Sequence, residues 1–285
     1  MNRIAPNAVN PVAKALWFIE TRLGEEMNLE TIAEAGGVSK FQLSRMFGIA
    51  TGYSVMRYLR GRRLSEAARR LAGGASDILA VAIESGYGSH EAFTRAFREQ
   101  FGLTPEALRE TGALDHLVLV EPYRMDENLI VKVDPPRLVD GKTLLIAGID
   151  GRFSFETCEG IPSVWQRFGP HIGAVPGQIG RVTYGICCNA DGAGNFDYIA
   201  GVEVKDFGDL PKDFARIRIA PQKYAVFTHR GDITGIRATT YSIWNKYLPE
   251  SKLELAEAPD FERYDDRFDA RTGKGEIEIW IPVKG

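Results

Sequence analysis

The sequence contains one short pattern twice, at a separation of fifty residues. SKFQLSRMFGIATGYS at 39–54 is matched by SHEAFTRAFREQFGLTP at 89–105, and the match extends backwards to a glycine in each copy, Gly36 and Gly86. The repeated unit is therefore longer than one helix and includes a glycine turn before a serine. A chain with this pattern is predicted to contain a duplicated supersecondary element.

Each copy predicts a helix-turn-helix unit. In the first copy, a short helix over LETIAEA is followed by a double-glycine turn, and Ser39 is placed to cap a second helix. Leu43, Met46 and Phe47 then recur at i, i+3 and i+4, the spacing of one buried helix face. The second copy repeats the cap and the buried stripe, so two helix-turn-helix units are expected.

The outward positions of the second helix in each unit carry side-chain types that read DNA bases. Arginine pairs with guanine, glutamine pairs with adenine, and an aromatic ring can meet the thymine methyl group. Base contacts are therefore predicted for Phe41, Gln42, Ser44, Arg45, His90, Glu91, Thr94 and Arg95. For Phe41, packing in the core remains the alternative.

An arginine-rich stretch joins the two units. SVMRYLRGRRLSEAARRLAGG predicts a helix of about 18 residues, which spans roughly 27 Å at ~1.5 Å per residue. Between Arg45 and Arg70 there are seven arginines and one acid, a positive field that suits phosphate, although a solvated helix face is the alternative. With the flanking turns, the two reading helices approach the ~34 Å of one DNA turn, so one chain could address two successive major grooves. Phosphate contacts are predicted for Arg57, Arg60, Arg62, Arg63 and Arg98.

The N-terminal third resembles the AraC/XylS class of transcription regulators. The resemblance rests on two helix-turn-helix units joined by an arginine-rich helix and on the run SGYGSHEAFTRAFREQFGLTPEALR. The positions that match the signature of that class are Gly86, Tyr87, Ser89, Phe93, Arg95, Phe97, Gly102, Thr104, Pro105 and Arg109. Leu108 stands where the class usually has an aromatic residue. The resemblance implies an all-α domain that binds double-stranded DNA, to which residues 1–112 are assigned.

The remainder of the chain, residues 113–285, contains a second repeat, of seventy-nine residues. SVWQRF at 163–168 corresponds to SIWNKY at 242–247, and strand-like runs precede and follow both segments. Strands are expected to begin by about Leu117, and each half is expected to run strand, helix, strand, strand. Two such halves predict a pseudo-two-fold α+β domain with a groove between them that suits a small molecule.

Residues 117–285 resemble the GyrI-like effector-binding domain, through the repeat and the FERYD...GEIEIWIPV ending. With the DNA reader first and this domain last, the chain resembles the Rob type of regulator. The resemblance implies that Glu262 lies in the ligand groove, where a poorly solvated carboxylate favours a lipophilic cation or amphiphile. Further groove candidates are Tyr264, Trp165, Phe168, Tyr184 and Trp244. The alternatives are a surface ion pair of Glu262 with Arg263 or Arg267, and core packing of the aromatic residues.

Composition bounds the class of protein. The 285 residues, 44% hydrophobic and 26% charged, favour two domains and contain no apolar run near the ~18 residues of a membrane span. Residues 1–112 carry a net charge of +2 and the rest −5, so the positive charge lies where DNA binding is predicted. The N-terminus lacks a signal-peptide pattern, and a cytoplasmic protein is expected. Cys158, Cys187 and Cys188 have no zinc-type spacing and are expected to be buried thiols; no metal or cofactor is predicted.

Three functions are compatible with the sequence. The first is a ligand-responsive transcriptional activator; the second is a DNA-binding regulator whose C-terminal domain contacts a protein such as RNA polymerase or a topoisomerase. The third is implied by the resemblance to free-standing GyrI-like proteins and is a hydrolase of small electrophiles, with Glu262 as base and Tyr264 as orienting group. No P-loop, nucleophile elbow or dinucleotide motif is present in the sequence, and the fusion to a DNA reader favours sensing over catalysis.

Overall fold

The structure is a computed structural model that describes residues 10–191 and 193–285. Its residues divide into two compact units. The helical unit comprises the described residues 10–43 and 53–125, and the sheet unit comprises 44–52 together with the described part of 126–285. The segment 44–52 thus belongs to the sheet unit, although it continues a helix that begins in the other.

Two helix-turn-helix units are present, as the fifty-residue repeat predicts. The helices of this region are α1 Pro11–Glu20, α2 Leu29–Gly36, α3 Lys40–Thr51, α4 Val55–Ala72, α5 Ile78–Glu84, α6 His90–Phe101 and α7 Pro105–Thr111. Helices α2 and α3 form the first unit, and α5 and α6 form the second. The arginine-rich stretch forms α4, which joins them.

Capping side chains begin the second helix of each unit at the repeated serines. Ser39 Oγ accepts a hydrogen bond from the Gln42 backbone N–H at 3.2 Å, and Gln42 Oε1 accepts one from the Ser39 N–H at 2.9 Å. This reciprocal pair is a capping box. Ser89 Oγ accepts a hydrogen bond from the Ala92 N–H at 3.1 Å. At the other end of α6, Gly102 follows the last helical residue as its C-cap, with a φ of 76° that glycine adopts without strain.

The buried stripe predicted for α6 forms the core of the helical unit. Phe93 and Phe97 are fully buried, with ring centroids 5.5 Å apart, and they share one cluster with Leu64 and Leu71 of α4. Burial of these rings stabilises the unit by roughly 1.5–3 kcal/mol per side chain. It also fixes the opposite face of α6 as the outward one.

The expectation that strands begin by about Leu117 is wrong, because the first strand starts at Arg137. Leu114, Leu117 and Leu119 instead pack against the core of the helical unit. An apolar alternation is satisfied as well by packing on helices as by pairing in a sheet. The chain after α7 therefore completes the helical unit before the sheet begins.

The sheet unit is built from antiparallel strands. They are β1 Arg137–Gly141, β2 Leu144–Ser154, β3 Gln178–Cys188, β4 Asn195–Val204, β5 Ala215–Ile219, β6 Gln222–Asp232, β7 Asp260–Tyr264, β8 Phe268–Asp269 and β9 Lys274–Val283. Helix α8 spans Ile161–Phe168; α9 spans Ile236–Ser242 and continues through a wider turn, Ile243–Tyr247, into α10, Leu248–Glu250.

The strand order confirms the predicted duplication. The order is β1-β6-β9-β7-β3-β4-β2-β5, with β8 paired to β9. One half is β2, α8, β3 and β4; the other is β6, α9, β7 and β9, and the halves meet where β3 pairs with β7. The edge strands are exchanged, since β1 precedes β2 but pairs with β6, while β5 precedes β6 but pairs with β2.

The two faces of the sheet carry separate cores. On one face, Val164 and Phe168 of α8 pack with Tyr198 of β4. On the other face, Tyr184 of β3 packs with Phe261 of β7. Because side chains alternate along a strand, each position on β3, β4 and β7 is committed to one of these faces.

Candidate DNA-reading face and ligand groove

The outward face of α6 brings together the base-contact residues predicted for the second unit. His90, Glu91, Thr94, Arg95 and Arg98 line one open depression. Arg95 and Arg98 are exposed, and Thr94 is half-buried. Two guanidinium groups and an imidazole offer donors to both base edges and phosphates, whereas the Thr94 hydroxyl oxygen is buried. This set of five residues is called the α6 face below.

The first turn of α6 contributes one acidic side chain, Glu91, to that face. The backbone N–H groups of the helix start and the Ser89 hydroxyl lower the pKa of Glu91, so it is charged at neutral pH. A carboxylate here can accept from the amino group of cytosine. His90 Nε2 lies 3.0 Å from Glu106 Oε1, which fixes the ring.

The base-contact residues predicted on α3 are placed differently. The Gln42 amide oxygen is used in the capping box, and Phe41 and Ser44 are half-buried. Arg45 is 9% exposed, lies in the sheet unit, and forms an ion pair with Asp260. In this structure Arg95 of α6 is exposed to solvent, whereas Arg45 of α3 is buried within the sheet unit.

The five arginines predicted to bind phosphate fall into two groups. Arg57, Arg60 and Arg98 have exposed side chains. Arg62 is buried, and Arg63 is half-buried with its guanidinium donating to backbone carbonyl oxygens. The placement of Arg62 and Arg63 does not favour the predicted phosphate contacts, because the recorded hydrogen bonds of both guanidinium groups are made inside the helical unit.

Arg62 holds three segments of the helical unit together. Its Nε and one Nη donate to the two carboxylate oxygens of Glu20 at 2.9 Å each, and its other Nη donates to the Val120 carbonyl oxygen at 2.9 Å. Tyr58 donates to the same carboxylate at 2.6 Å. Burial alone would lower the pKa of Arg62, but the bonds to Glu20 outweigh burial and the net shift is upward.

A carboxylate lies near the centre of the sheet, on the face that α8 covers. Glu262 Oε2 accepts hydrogen bonds from the hydroxyls of Tyr264 at 2.8 Å and Tyr198 at 2.9 Å. Trp165 Nε1 donates to the Tyr198 hydroxyl at 2.9 Å, and the rings of Trp165 and Tyr264 meet edge to face with centroids 5.0 Å apart. These four residues are the candidate ligand groove, and the term ligand groove refers to them below.

Strand register places the groove residues together. Tyr264 and Glu262 are alternate residues of β7, so they share a face, as the period of two predicts. Gly185 of β3 lies opposite Glu262. A Cβ atom on Gly185 would overlap the Tyr198 hydroxyl and lie 2.9 Å from Glu262 Oε2. Glycine at this position therefore leaves the space in which the carboxylate and the phenol meet.

The environment of Glu262 disfavours an unpaired negative charge. Burial raises the pKa of Glu262, and the hydrogen bonds from Tyr264 and Tyr198 oppose that shift without cancelling it. Burial and the adjacent carboxylate raise the pKa of both phenols well above their usual range, so they remain donors. A cation brought to this site would stabilise the carboxylate, since an opposite charge favours the ionised form.

Three of the predicted groove aromatics lie elsewhere. Tyr184 projects from the opposite face of the sheet and packs against Phe261, with ring centroids 5.9 Å apart. The prediction for Tyr184 is wrong because it occupies the other phase of the strand alternation. Phe168 of α8 is fully buried in the core, and Trp244 is 1% exposed with the Arg45 guanidinium beside its ring, so neither belongs to the four-residue site around Glu262.

Asp260 and Tyr198 are residues of this face that sequence reasoning missed. Asp260 lies two residues before Glu262 on β7, and Asp260 and Tyr198 are both register partners of Cys187. The period of two in DFERY could have identified Asp260. Tyr198 could not be found in that way, because its role depends on the pairing of β4 with β3.

The surroundings of the three cysteines disfavour the thiolate form. Cys158, Cys187 and Cys188 are free thiols. Burial raises the pKa of Cys187 and of Cys188 to about 12, and it also raises the pKa of Cys158. All three are therefore protonated at neutral pH. Cys188 is buried, as expected from the sequence, whereas Cys158 and Cys187 are half-buried.

Residues 10–191 and 193–285 lack two features, a metal-binding cluster and a membrane-spanning helix. Within them, no group of three or more His, Cys, Asp or Glu side chains is arranged to hold a metal ion. No helix in that part of the chain is both long and apolar enough to cross a membrane.

The duplicated helix-turn-helix and the duplicated α+β domain with its half-buried carboxylate define a class, the DNA-binding transcriptional regulator with a small-molecule-binding domain. The family described as GyrI-like small molecule binding domain matches residues 134–284, just over half of the chain, and the family described as helix-turn-helix domain matches residues 32–111. The chain belongs to the GyrI-like family, and its helix-turn-helix region is of the AraC type.

Its relatives include one that it matches along almost the whole length and one that matches the N-terminal part alone. Transcriptional regulator Rob of Salmonella typhimurium is 26% identical over 284 residues, covering 94% of this chain and 96% of the relative. Multiple antibiotic resistance protein MarA of Escherichia coli is 34% identical over 112 residues, 39% of this chain and 87% of the relative. A solved structure of SAV2435 bound to tetraphenylphosphonium is similar over 54% of this chain and 95% of that chain, with a TM-score of 0.46 and 23% identity.

Proposed function

We propose that the chain is a transcriptional activator that reads two adjacent major grooves as a monomer and responds to a lipophilic cation or cationic amphiphile. Residues 1–112 would read DNA, residues 113–285 would bind the effector, and RNA polymerase would be the protein partner. The observation that carries the effector assignment is the half-buried Glu262 carboxylate, which accepts hydrogen bonds from two phenols and lies beside the Trp165 ring.

The groove has the chemistry of a cation receptor. Glu262 supplies the counter-charge, while the rings of Trp165 and Tyr264 supply faces and edges close to it. Attraction of a cation to each ring face contributes roughly 0.5–2 kcal/mol. A strongly hydrated small cation would lose its water shell here, whereas a lipophilic cation has little hydration to lose. We therefore assign a sensing role to Glu262, in agreement with relatives that are transcriptional regulators.

The α6 face supports the DNA assignment. Arg95 and Arg98 are exposed on one helix whose other side is fixed in the core by Phe93 and Phe97. A rigid helix with outward donors is the arrangement that reads the major groove. Duplication of the unit within one chain supports monomeric binding, because a second reading helix does not require a second subunit. Native mass spectrometry of the DNA complex should then give one chain per duplex.

Replacing Glu262 by glutamine should weaken tetraphenylphosphonium binding by about tenfold or more, equivalent to roughly 1.4 kcal/mol. The substitution keeps the shape of the side chain and removes its charge. Binding to the wild type should also weaken on acidification, because protonation removes the counter-charge. Since burial raises the pKa of Glu262, the loss should begin at a higher pH than an exposed glutamate would give. Isothermal titration calorimetry of the full chain across a pH series measures both effects.

A matched control is available on the same unit. Glu257 is exposed and Glu257→Gln makes the same charge change, so its affinity for the cation should equal that of the wild type. Equal affinities of wild type and Glu262→Gln, or a pH series that is the same for both, would contradict the assignment. Binding of neutral amphiphiles but not of cations would also contradict it. If neither cations nor neutral amphiphiles bound, the result would point to a protein-contact role for this domain.

A further inference from the structure

The Arg45 guanidinium lies within the sheet unit in a site formed by Asp260, Phe196 and Trp244, which is called the cation seat below. The guanidinium forms an ion pair with Asp260, and its Cζ lies 5.7 Å from the ring centroids of both Phe196 and Trp244. The side chain of Arg45 is 10% exposed and that of Asp260 is 15% exposed. A carboxylate combined with two aromatic rings is the recognition chemistry of an organic cation. The chain thus places its own cation in a site of the kind proposed for the effector.

This seat adjoins the ligand groove. Asp260 and Glu262 are alternate residues of β7 and lie on one face of the sheet. The positive charge of Arg45 reaches Glu262, where it lowers the pKa against the stronger upward effect of burial. A second cation entering the groove would therefore meet Arg45 at short range, by overlap or by repulsion between like charges. Docking of Arg45 and binding of a cation oppose each other in either case.

The segment that carries Arg45 is closely packed, yet the seat does not satisfy the guanidinium fully. A Cβ atom on Gly48, one turn further along α3, would overlap the Phe155 ring, so within the sheet unit this segment lies as close to Phe155 as glycine allows. The Nε of Arg45 is buried and has no hydrogen-bond partner among residues 10–191 and 193–285. A buried donor without an acceptor is unfavourable. A cation that fits the aromatic surface better could therefore displace the guanidinium.

The Arg45 guanidinium is also a predicted DNA base contact. By the fifty-residue repeat, Arg45 corresponds to Arg95, which is exposed on the α6 face. Arginine in that position of a reading helix pairs with guanine. An arginine bonded to Asp260 cannot at the same time contact a base.

We propose that Arg45 is an internal competitor of the effector. Docked on Asp260, it holds a positive charge beside the cation site and is withheld from DNA; a bound cation releases it for base reading. This inference rests on the proposed function of the groove as a cation sensor. Because linkage is reciprocal, DNA that captures Arg45 should strengthen cation binding by the same factor as the cation strengthens DNA binding.

The first test removes the competitor. In isothermal titration of tetraphenylphosphonium into the full chain without DNA, Arg45→Ala should bind about fivefold or more tightly than the wild type, at the lower end of ordinary coupling between sites. The comparison with Glu262→Gln shows whether the cation binds at the groove. Unchanged affinity in a folded Arg45→Ala variant would overturn the inference and leave the cation-sensor function standing.

The second test keeps Arg45 and removes its partner. Asp260→Asn should strengthen binding to a duplex selected from a random pool on the order of fivefold, because a larger fraction of the chain has Arg45 available. The gain should vanish in the double variant Asp260→Asn/Arg45→Ala, and it should be absent in Glu257→Gln, which makes the same charge change at an exposed position. A gain that persists in the double variant would overturn the inference. If tetraphenylphosphonium bound neither the wild type nor any variant, the cation-sensor function would be removed and this inference with it.

Discussion

Replacing Arg62 by alanine is expected to lower the free energy of unfolding of the helical unit by about 3 kcal/mol. The substitution leaves the Glu20 carboxylate without its two-pronged partner and removes the bond to the Val120 carbonyl oxygen. Deleting one partner of a buried ion pair is costly because the remaining charge stays poorly solvated, with losses of roughly 3–5 kcal/mol. The lower end applies here, since the Glu20 side chain is 23% exposed. Hydrogen exchange of peptides from α4 measures the loss.

Arg60→Ala provides the matched control on the same helix. Arg60 pairs with Glu99 at the surface, with side chains 46% and 68% exposed, and exposed pairs contribute about 0–1 kcal/mol. Its exchange should therefore stay close to that of the wild type, while its DNA affinity falls if Arg60 contacts phosphate. The structural role of Arg62 would be contradicted by unchanged exchange in Arg62→Ala together with a weaker salt dependence of DNA binding.

Replacing Arg95 by alanine should cost roughly 1–3 kcal/mol of affinity for a selected duplex and relax the base preference at one position. The expectation follows from the exposed guanidinium on the α6 face, whose helix is fixed by the buried Phe93 and Phe97. Fluorescence anisotropy with the selected duplex and with single-base variants measures both effects.

Arg98→Ala separates base reading from charge. Arg98 lies one turn along the same exposed face, and a phosphate contact there should weaken binding to all duplexes alike and reduce the salt slope by about one. If Arg95→Ala weakened selected and scrambled duplexes by the same factor, Arg95 would be a phosphate contact and not a base reader.

Local patterns in the sequence predicted the elements of this fold well. The fifty-residue repeat placed both capping serines and the buried stripe of α6, and the seventy-nine-residue repeat placed the strand-helix-strand-strand halves. These features depend on helical and strand periodicity and on side chains that bond their own helix starts. Such interactions span a few residues, so the sequence carries them directly.

Contacts between distant residues were the ones that could not be predicted. Arg45 and Asp260 are 215 positions apart, and Arg62 meets Val120 from 58 positions away. An arginine-rich stretch has the same composition whether its guanidinium groups face solvent or bond inward. For Tyr184, the strand was predicted correctly, but the face that it occupies is set by the register of β3 with β7.

The most direct test of the central claim is the affinity of the full chain for a selected duplex with and without saturating tetraphenylphosphonium. We predict that the cation strengthens DNA binding of the wild type on the order of fivefold and leaves Glu262→Gln unchanged, because the effect requires a cation in the groove and release of Arg45. DNA affinity that is the same with and without a cation shown by calorimetry to be bound would contradict the claim that this groove controls DNA reading.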